Sequence, residues 1–357
     1  MRKMLAALVL ATSPCMVGAT ESLNVFTWDG YVQPEDVAEV NAILKAQGYD
    51  IEVKVIDTLA EGPQQMYDTL RTGTVDIAFL TLNYINMEGI PTANLLQPID
   101  TDSPRLPNYR HLSGSLTRIG MGMDGDDVLY IPWGGGAYGI WANMDKIDTP
   151  PARVADLLDP QWKGKLSLTL GQVQPNIALA LLAAGKPPFD VNDVSGDRAA
   201  LQAYSDPNGE LQGMVTALYA QVGHFWDTGP EFRDDLLLVA SYGPGASAHN
   251  AEGNNWQMVR FEEGSTVWLD TINFARHLNG EKLEAAEIFA NHFIGKDVQE
   301  RVVNGLGMVA ASTLVDANPL IEANPDFYDE SMFWPPYTKA ANNLMELISK
   351  RALQGGS

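Results

Sequence analysis

The 357-residue chain has one cysteine, Cys15, and only 23 basic residues against 45 acidic ones, a formal charge of −22. A single thiol excludes a disulfide framework. A chain this negative repels phosphate backbones and anionic lipid, which excludes nucleic acid as a main partner. The histidines His111, His224, His249, His277 and His292 are scattered without His-x-x-x-His or Glu-x-x-His spacing, so neither a metal nor another cofactor is expected. There is no Gly-x-Ser-x-Gly elbow, and carboxylate pairs arise by chance in so acidic a chain, so nothing singles out an enzyme. Beyond the N-terminal segment no run approaches the ~18 apolar residues of a membrane span. What is present, 45% hydrophobic residues with 9% aromatics, suits a folded protein with a large core.

The N-terminus reads as an export signal. Arg2 and Lys3 precede the apolar run 4–12, and Val17-Gly18-Ala19 supplies small residues for a peptidase, predicting a leader over 1–19 cleaved after Ala19. Cys15 lies inside it, so the mature chain would lack a thiol nucleophile. Lipid attachment at Cys15 is the rival reading, and Pro14 directly before it disfavours that.

Residues 23–28 form a short apolar run ended by Asp29-Gly30, the pattern of a buried strand. Pro34-Glu35-Asp36 starts a helix with Val37, Val40, Ile43 and Leu44 on its apolar face, and Gly48 ends it. Residues 51–56 alternate as a strand, 64–71 read as a helix and 75–80 as a further buried strand. This β-α-β-α-β order predicts a parallel sheet, whose ligands sit outside the carboxyl ends of the strands. Two loops there gather Trp28, Asp29, Tyr31 and Tyr84. Gly134-Gly135-Gly136 suits a hinge or a close approach of backbone, and without a Gly-Lys-Ser/Thr ending it is no phosphate loop. A second α/β pattern follows from Pro150: strands at 166–170 and 236–240, helices at 154–158 and 175–184, and 211–225 read as a helix throughout. Residues 265–270 form a strand-like run ending in Asp270, helices are expected at 282–293 and 297–303, and 335–351 is a helical tail.

In order along the chain, Phe26-Thr27-Trp28 with Tyr31, Val75-Asp76-Ile77 leading to Tyr84, Ile131-Pro132-Trp133 leading to Gly139-Ile140 and Asn143, Trp162-Lys163-Gly164-Lys165, Trp268-Leu269-Asp270 and the paired C-terminal helices with Gln299 resemble the periplasmic spermidine/putrescine-binding family of bacterial ABC importers. The resemblance implies a periplasmic-binding-protein-like fold of type II, α/β, with two lobes, hinge strands and a ligand cleft. It places lobe 1 at 20–132 plus 266–306 and lobe 2 at 133–265 plus 307–357. It further implies a monomer in the periplasm that captures a small amine-containing solute, works with an inner-membrane ABC permease, and performs no chemistry.

A polyammonium ligand has charges separated by methylenes, so its cleft needs carboxylates for the ends and aromatic faces for the middle, at ~0.5–2 kcal/mol per cation–π contact. Trp28, Tyr31, Tyr84, Trp133, Tyr242 and Trp268 are the candidate walls, with core packing the alternative role for Tyr84, Trp133 and Tyr242. By resemblance Asp270 holds an ammonium head and Trp268 stacks on the chain; Asp29 is a second anchor or a turn former. The chain also departs from the family. Where spermidine binders carry cleft-facing acids it has Leu170-Gly171-Gln172-Val173-Gln174, Met308 replaces an aromatic after the last hinge glycine, and Tyr242 replaces a tryptophan. These changes suggest a shorter or singly charged ligand: putrescine, a γ-amino acid or a quaternary ammonium compound. A zwitterionic or anionic solute would require a basic residue in the cleft, for which Arg105, Arg118 and Arg260 are candidates. A secreted enzyme on the same scaffold is the reading from another class.

Overall fold

The structure, a computed structural model, describes residues 20–227, 229–243, 245–315, 319–323 and 327–355. The expected leader 1–19 with Cys15 lies outside the described residues.

The chain opens in the expected alternation: β1 (Glu21–Phe26), α1 (Pro34–Ala46), β2 (Ile51–Val55), α2 (Pro63–Arg71) and β3 (Ile77–Thr81). Strand β1 lies between β2 and β3 and runs parallel to both. Each helix begins on a proline, whose fixed φ suits the first turn and whose missing N–H has no helical partner to lose. Asp36 accepts from the Gln33 amide at 2.8 Å and so caps α1. Val40 and Leu44 of α1, with Met66 and Leu70 of α2, seal the sheet.

After a hairpin of β4 (Met123–Asp124) and β5 (Asp127–Val128) comes β6 (Ile131–Ala137), which is buried throughout. The triple glycine is thus a strand rather than a loop. Its reason is close approach: a Cβ at Gly135 would lie 2.4 Å from the Trp268 carbonyl oxygen and 2.5 Å from the Tyr328 hydroxyl, and one at Gly136 would lie 2.8 Å from the Trp268 ring. The chain crosses at Tyr138 into a second sheet with β7 (Gly139–Asn143) and β8 (Leu166–Thr169). Helices α3 (Gln174–Ala183), α4 (Asp190–Asp193), α5 (Arg198–Tyr204) and α6 (Glu210–Tyr219) follow, then β9 (Val222–Trp226), β10 (Leu238–Ser241), α7 (Ala246–Ala251) and β11 (Trp256–Met258). The sheet order is β11-β7-β10-β8-β9.

One expectation fails here. The stretch 211–225 is not a single helix, because α6 stops at Tyr219 and 222–226 pairs in parallel with β8 as an edge strand. Val222, Phe225 and Trp226 prefer a pleated surface, and tertiary pairing overrides the weak helical period.

Thr266 brings the chain back, its carbonyl accepting from the Tyr138 amide at 3.0 Å, so the two crossings are tied together. Strand β12 (Val267–Phe274) inserts between β6 and β3, and with β13 (Val309–Ala310) the order is β13-β6-β12-β3-β1-β2. Helices α8 (Gly280–Phe293) and α9 (Lys296–Asn304) and strand β13 (Val309–Ala310) stay on this side, as does α10 (Pro319–Ala323) by its place in the chain. Phe327 and Phe333 enter the first core, whereas α11 (Lys339–Gly355) packs Ala341, Leu344, Met345 and Ile348 into the second.

The architecture is two α/β lobes with separate cores. The boundaries differ from those expected at 133 and 307: all of β6 belongs to the first sheet, β13 pairs with it, and the last crossing is at 334–338. Glycine-rich sequence suggested a hinge where a strand runs, and a two-residue strand carries no periodic signal.

Candidate functional site

A cavity of about 470 Å³ opens between the lobes, within the range of small-molecule sites. Its floor is Asp270 on β12, paired across the sheet with Thr81 of β3 and Gly134 of β6. The ladder shifts register between Asp270 and Thr271, the irregularity by which a strand re-aims a side chain. Asp270 is 3% exposed. Its Oδ2 accepts from the Tyr31 hydroxyl at 2.5 Å, and its Oδ1 has no partner. Burial pushes the carboxyl up to about 7, against the Tyr31 hydrogen bond, which favours the charge. Burial and the Asp270 charge raise the Tyr31, Tyr84 and Tyr328 phenols as well, so these three remain neutral donors around the acid.

Tyr31 is fixed from several sides. Its ring lies 4.2 Å from that of Trp133 and 6.0 Å from that of Phe79. Its carbonyl accepts from the Arg301 guanidinium at 3.3 Å, and Arg301 also pairs with Asp36 at 2.5 Å. Helix α9 thereby holds the β1–α1 loop that carries both Trp28 and Tyr31.

Trp28, Tyr31, Tyr84, Tyr242, Trp268 and Asp270 come together on the cavity wall. Two expected site residues do not. Trp133 is fully buried beneath Tyr31 in the first core, and its side chain packs rather than lines. Asp29 is exposed in the turn after β1 and is not on the cavity wall, which leaves it the role of turn former beside Gly30. Met308 is likewise buried, against Gly134. Tyr242 leads the second-lobe wall; its hydroxyl donates to Gln172 Oε1 at 2.6 Å and its ring leans on Tyr138.

Sequence reasoning missed the strap of the last crossing. Trp334, Pro335, Tyr337 and Thr338 all line the cavity, and the strap is sewn to the first lobe by Trp334 N–H to the Val267 carbonyl and Glu88 N–H to the Tyr337 carbonyl, both at 3.2 Å. The ring of Trp334 meets Phe189 of the second lobe at 4.9 Å. The cluster Phe333-Trp334-Pro335-Pro336-Tyr337 was the available signal, hidden by its place in front of a tail helix. Glu61, exposed before α2, was also missed.

No arginine or lysine is among the described lining residues. Arg105 is tied to Glu284 at 2.6 Å and Glu287 at 3.3 Å, Arg118 donates to the Asp126 carbonyl, and Arg260 is not on the wall.

Two lobes enclosing one aromatic cavity define a solute-binding protein. The chain belongs to the bacterial extracellular solute-binding protein family, whose model matches residues 38–328. It is 24% identical over 347 residues to the putrescine-binding periplasmic protein PotF of Escherichia coli K12, covering 90% of this chain and 87% of that protein. Among solved structures, the spermidine/putrescine ABC transporter substrate-binding protein PotD of Streptococcus pneumoniae matches with TM-score 0.62 and 16% identity over 93% of this chain and 99% of that one. The Atu4243-GABA receptor matches with TM-score 0.62 and 15% identity over 94% and 98%. At such identities the structures share the fold alone. Among the described residues no helix is long and apolar enough to cross a membrane.

Proposed function

We propose that the chain is the periplasmic receptor of an ABC importer, which captures a small amine-bearing solute between its lobes and passes it unchanged to an inner-membrane permease. The observation that carries this reading is Asp270: a buried carboxylate with one oxygen unpartnered, on the wall of an aromatic cavity that has no described basic residue. A protonated amine supplies both the missing hydrogen bonds and the missing charge, while the indole and phenol rings suit its methylenes. An anionic solute would face Asp270 with no compensating cation.

In this reading residues 1–19 are the cleaved leader. The lobes, 20–137 with 267–333 and 139–265 with 339–355, close about the crossings at Tyr138, Thr266 and 334–338. Closure is favoured to the extent that the solute touches both lobes at once.

A thermal-shift screen of the mature protein, stripped of solute by unfolding and refolding, tests the reading. Putrescine, spermidine, 4-aminobutan-1-ol, choline, betaine and common amino acids are compared; a solute at a hundredfold excess over Kd adds ~2.7 kcal/mol of stability. Amines are expected to raise the midpoint. A rise with acidic amino acids and none with any amine contradicts the reading.

A further inference from the structure

Only one charged side chain among the described residues of the cavity wall is buried. The first-lobe wall holds the buried Asp270, while the second-lobe wall presents primary amides: Gln172, Gln174, Asn192 and Asn342. Three of these are already engaged, since Gln172 Oε1 accepts from Tyr242 and the Gln174 amide donates to Asn342, whose own amide donates to Glu346 at 2.8 Å. The Gln172 amide nitrogen and the Gln174 carbonyl are left to a guest. The other acids nearby are exposed: Glu61 lines the cavity beside solvent, and Glu346 stands behind Asn342 off the lining. Water and salt screen such carboxylates, so they discriminate weakly between a charged and a neutral group.

Resting on the reading of Asp270 as the amine anchor, we propose that the solute is a monocation: one ammonium head on Asp270 and an uncharged, hydrogen-bonding far end, a hydroxyl or an amide, on the amides of the second lobe. A diamine of the same length brings a second ammonium to a wall without a buried acid, and a γ-amino acid brings a carboxylate to a wall without a cation. Once the lobes close over the solute, as that reading requires, each leaves a charge uncompensated. A neutral end exchanges hydrogen bonds with amides at little cost.

Titration calorimetry on the stripped mature protein at pH 8, with putrescine, 4-aminobutan-1-ol, 4-aminobutanamide and γ-aminobutyrate, tests this. The alcohol and the amide are expected to bind about tenfold or more tighter than putrescine and γ-aminobutyrate, a ratio worth one decade of Kd. Putrescine or γ-aminobutyrate binding as tightly as the alcohol overturns the proposal while leaving Asp270 as the anchor. If none of the four binds, the anchor reading falls and takes the proposal with it. Two variants locate the far end. Gln174→Glu should shift the putrescine-to-alcohol ratio about tenfold toward putrescine, because it places an acid on the half-buried part of the second-lobe wall. Glu61→Gln should leave the ratio unchanged; loss of putrescine binding in that variant would assign Glu61 the second ammonium and overturn the proposal.

Discussion

Tyr31 and Asp270, 239 residues apart in sequence, meet in a buried hydrogen bond of 2.5 Å that joins the loop after the first strand to the floor of the cavity. One oxygen of the acid is thereby held and the other left open. Tyr31→Phe removes the held bond without changing the ring that packs on Trp133. Solute affinity is expected to fall by about 1.5–3 kcal/mol, the range for a hydrogen bond to a charged group, with the fold retained. Calorimetry of the variant against the parent checks it, and an unchanged Kd would show that the phenol does not orient the acid.

Asp270 also sets a dependence of stability on pH. Its carboxyl titrates near 7 in the folded, solute-free protein and near 3.9 when unfolded, so between these values the folded state binds the extra proton. Stability contributed by that proton is present at about pH 4 and is lost as pH rises to 7, a change of about 4 kcal/mol. Asp270→Asn, which does not titrate, should flatten this slope and make the empty protein more stable than the parent at pH 8. Urea unfolding of both proteins at pH 5 and pH 8 measures it; equal slopes would contradict the buried acid as the cause.

The Arg301 guanidinium acts at a distance from the solute, through the Tyr31 carbonyl and Asp36. Burial works to raise the Asp36 carboxyl, but the His292 imidazole 3.8 Å away, the Gln33 hydrogen bond and the Arg301 charge overcome it and leave it below its usual value. The stability this gives is present above pH 4 and disappears as pH falls through the lowered folded value. Arg301→Gln should weaken solute binding and cost about 1–3 kcal/mol of stability, with Arg301→Lys restoring the ion pair but less of the carbonyl contact. Thermal melts at pH 7 and at successively lower pH distinguish the two contributions, since only the Asp36 part shrinks below pH 4.

Gly243 of the second lobe and Gly307 of the first interlock where the lobes meet. A Cβ at Gly307, where φ is +65°, would lie 2.5 Å from Ser247 Oγ, and one at Gly243 would lie 2.8 Å from the Gly307 carbonyl. Gly307→Ala is therefore both strained and too wide for the joint, and it should hold the lobes further apart. Small-angle scattering with saturating solute should show a larger radius of gyration than the parent, together with weaker binding. A parent-like radius would mean that the joint yields.

The opening elements of the first lobe were legible because each announces itself locally: Pro34 starts a helix, and the apolar runs at 23–28 and 75–80 read as buried strands. Asp270 was singled out as an acid closing an apolar run at 265–270, but the strand runs on past it to Phe274. Trp133 and Asp29 were misplaced because an aromatic or an acid near a strand end faces the cleft or the core according to register, which one sequence does not specify. The strap at 334–338 was missed because its rings are brought to the cavity by a third crossing, a long-range arrangement with no local period. Residues 222–226 became a strand for a comparable reason, since β8 supplies the edge they pair with.

The most direct test of the central claim is to count protons during solute binding. An ammonium on Asp270 requires the acid ionised, so at pH 6, below its folded value of about 7, binding of an amine should release close to one proton. Calorimetry in two buffers of different ionisation enthalpy gives that number, and Asp270→Asn should bind at least about a hundredfold more weakly and release none. An Asp270→Asn protein that binds the amine as tightly as the parent, or a parent that releases no proton, would contradict the account.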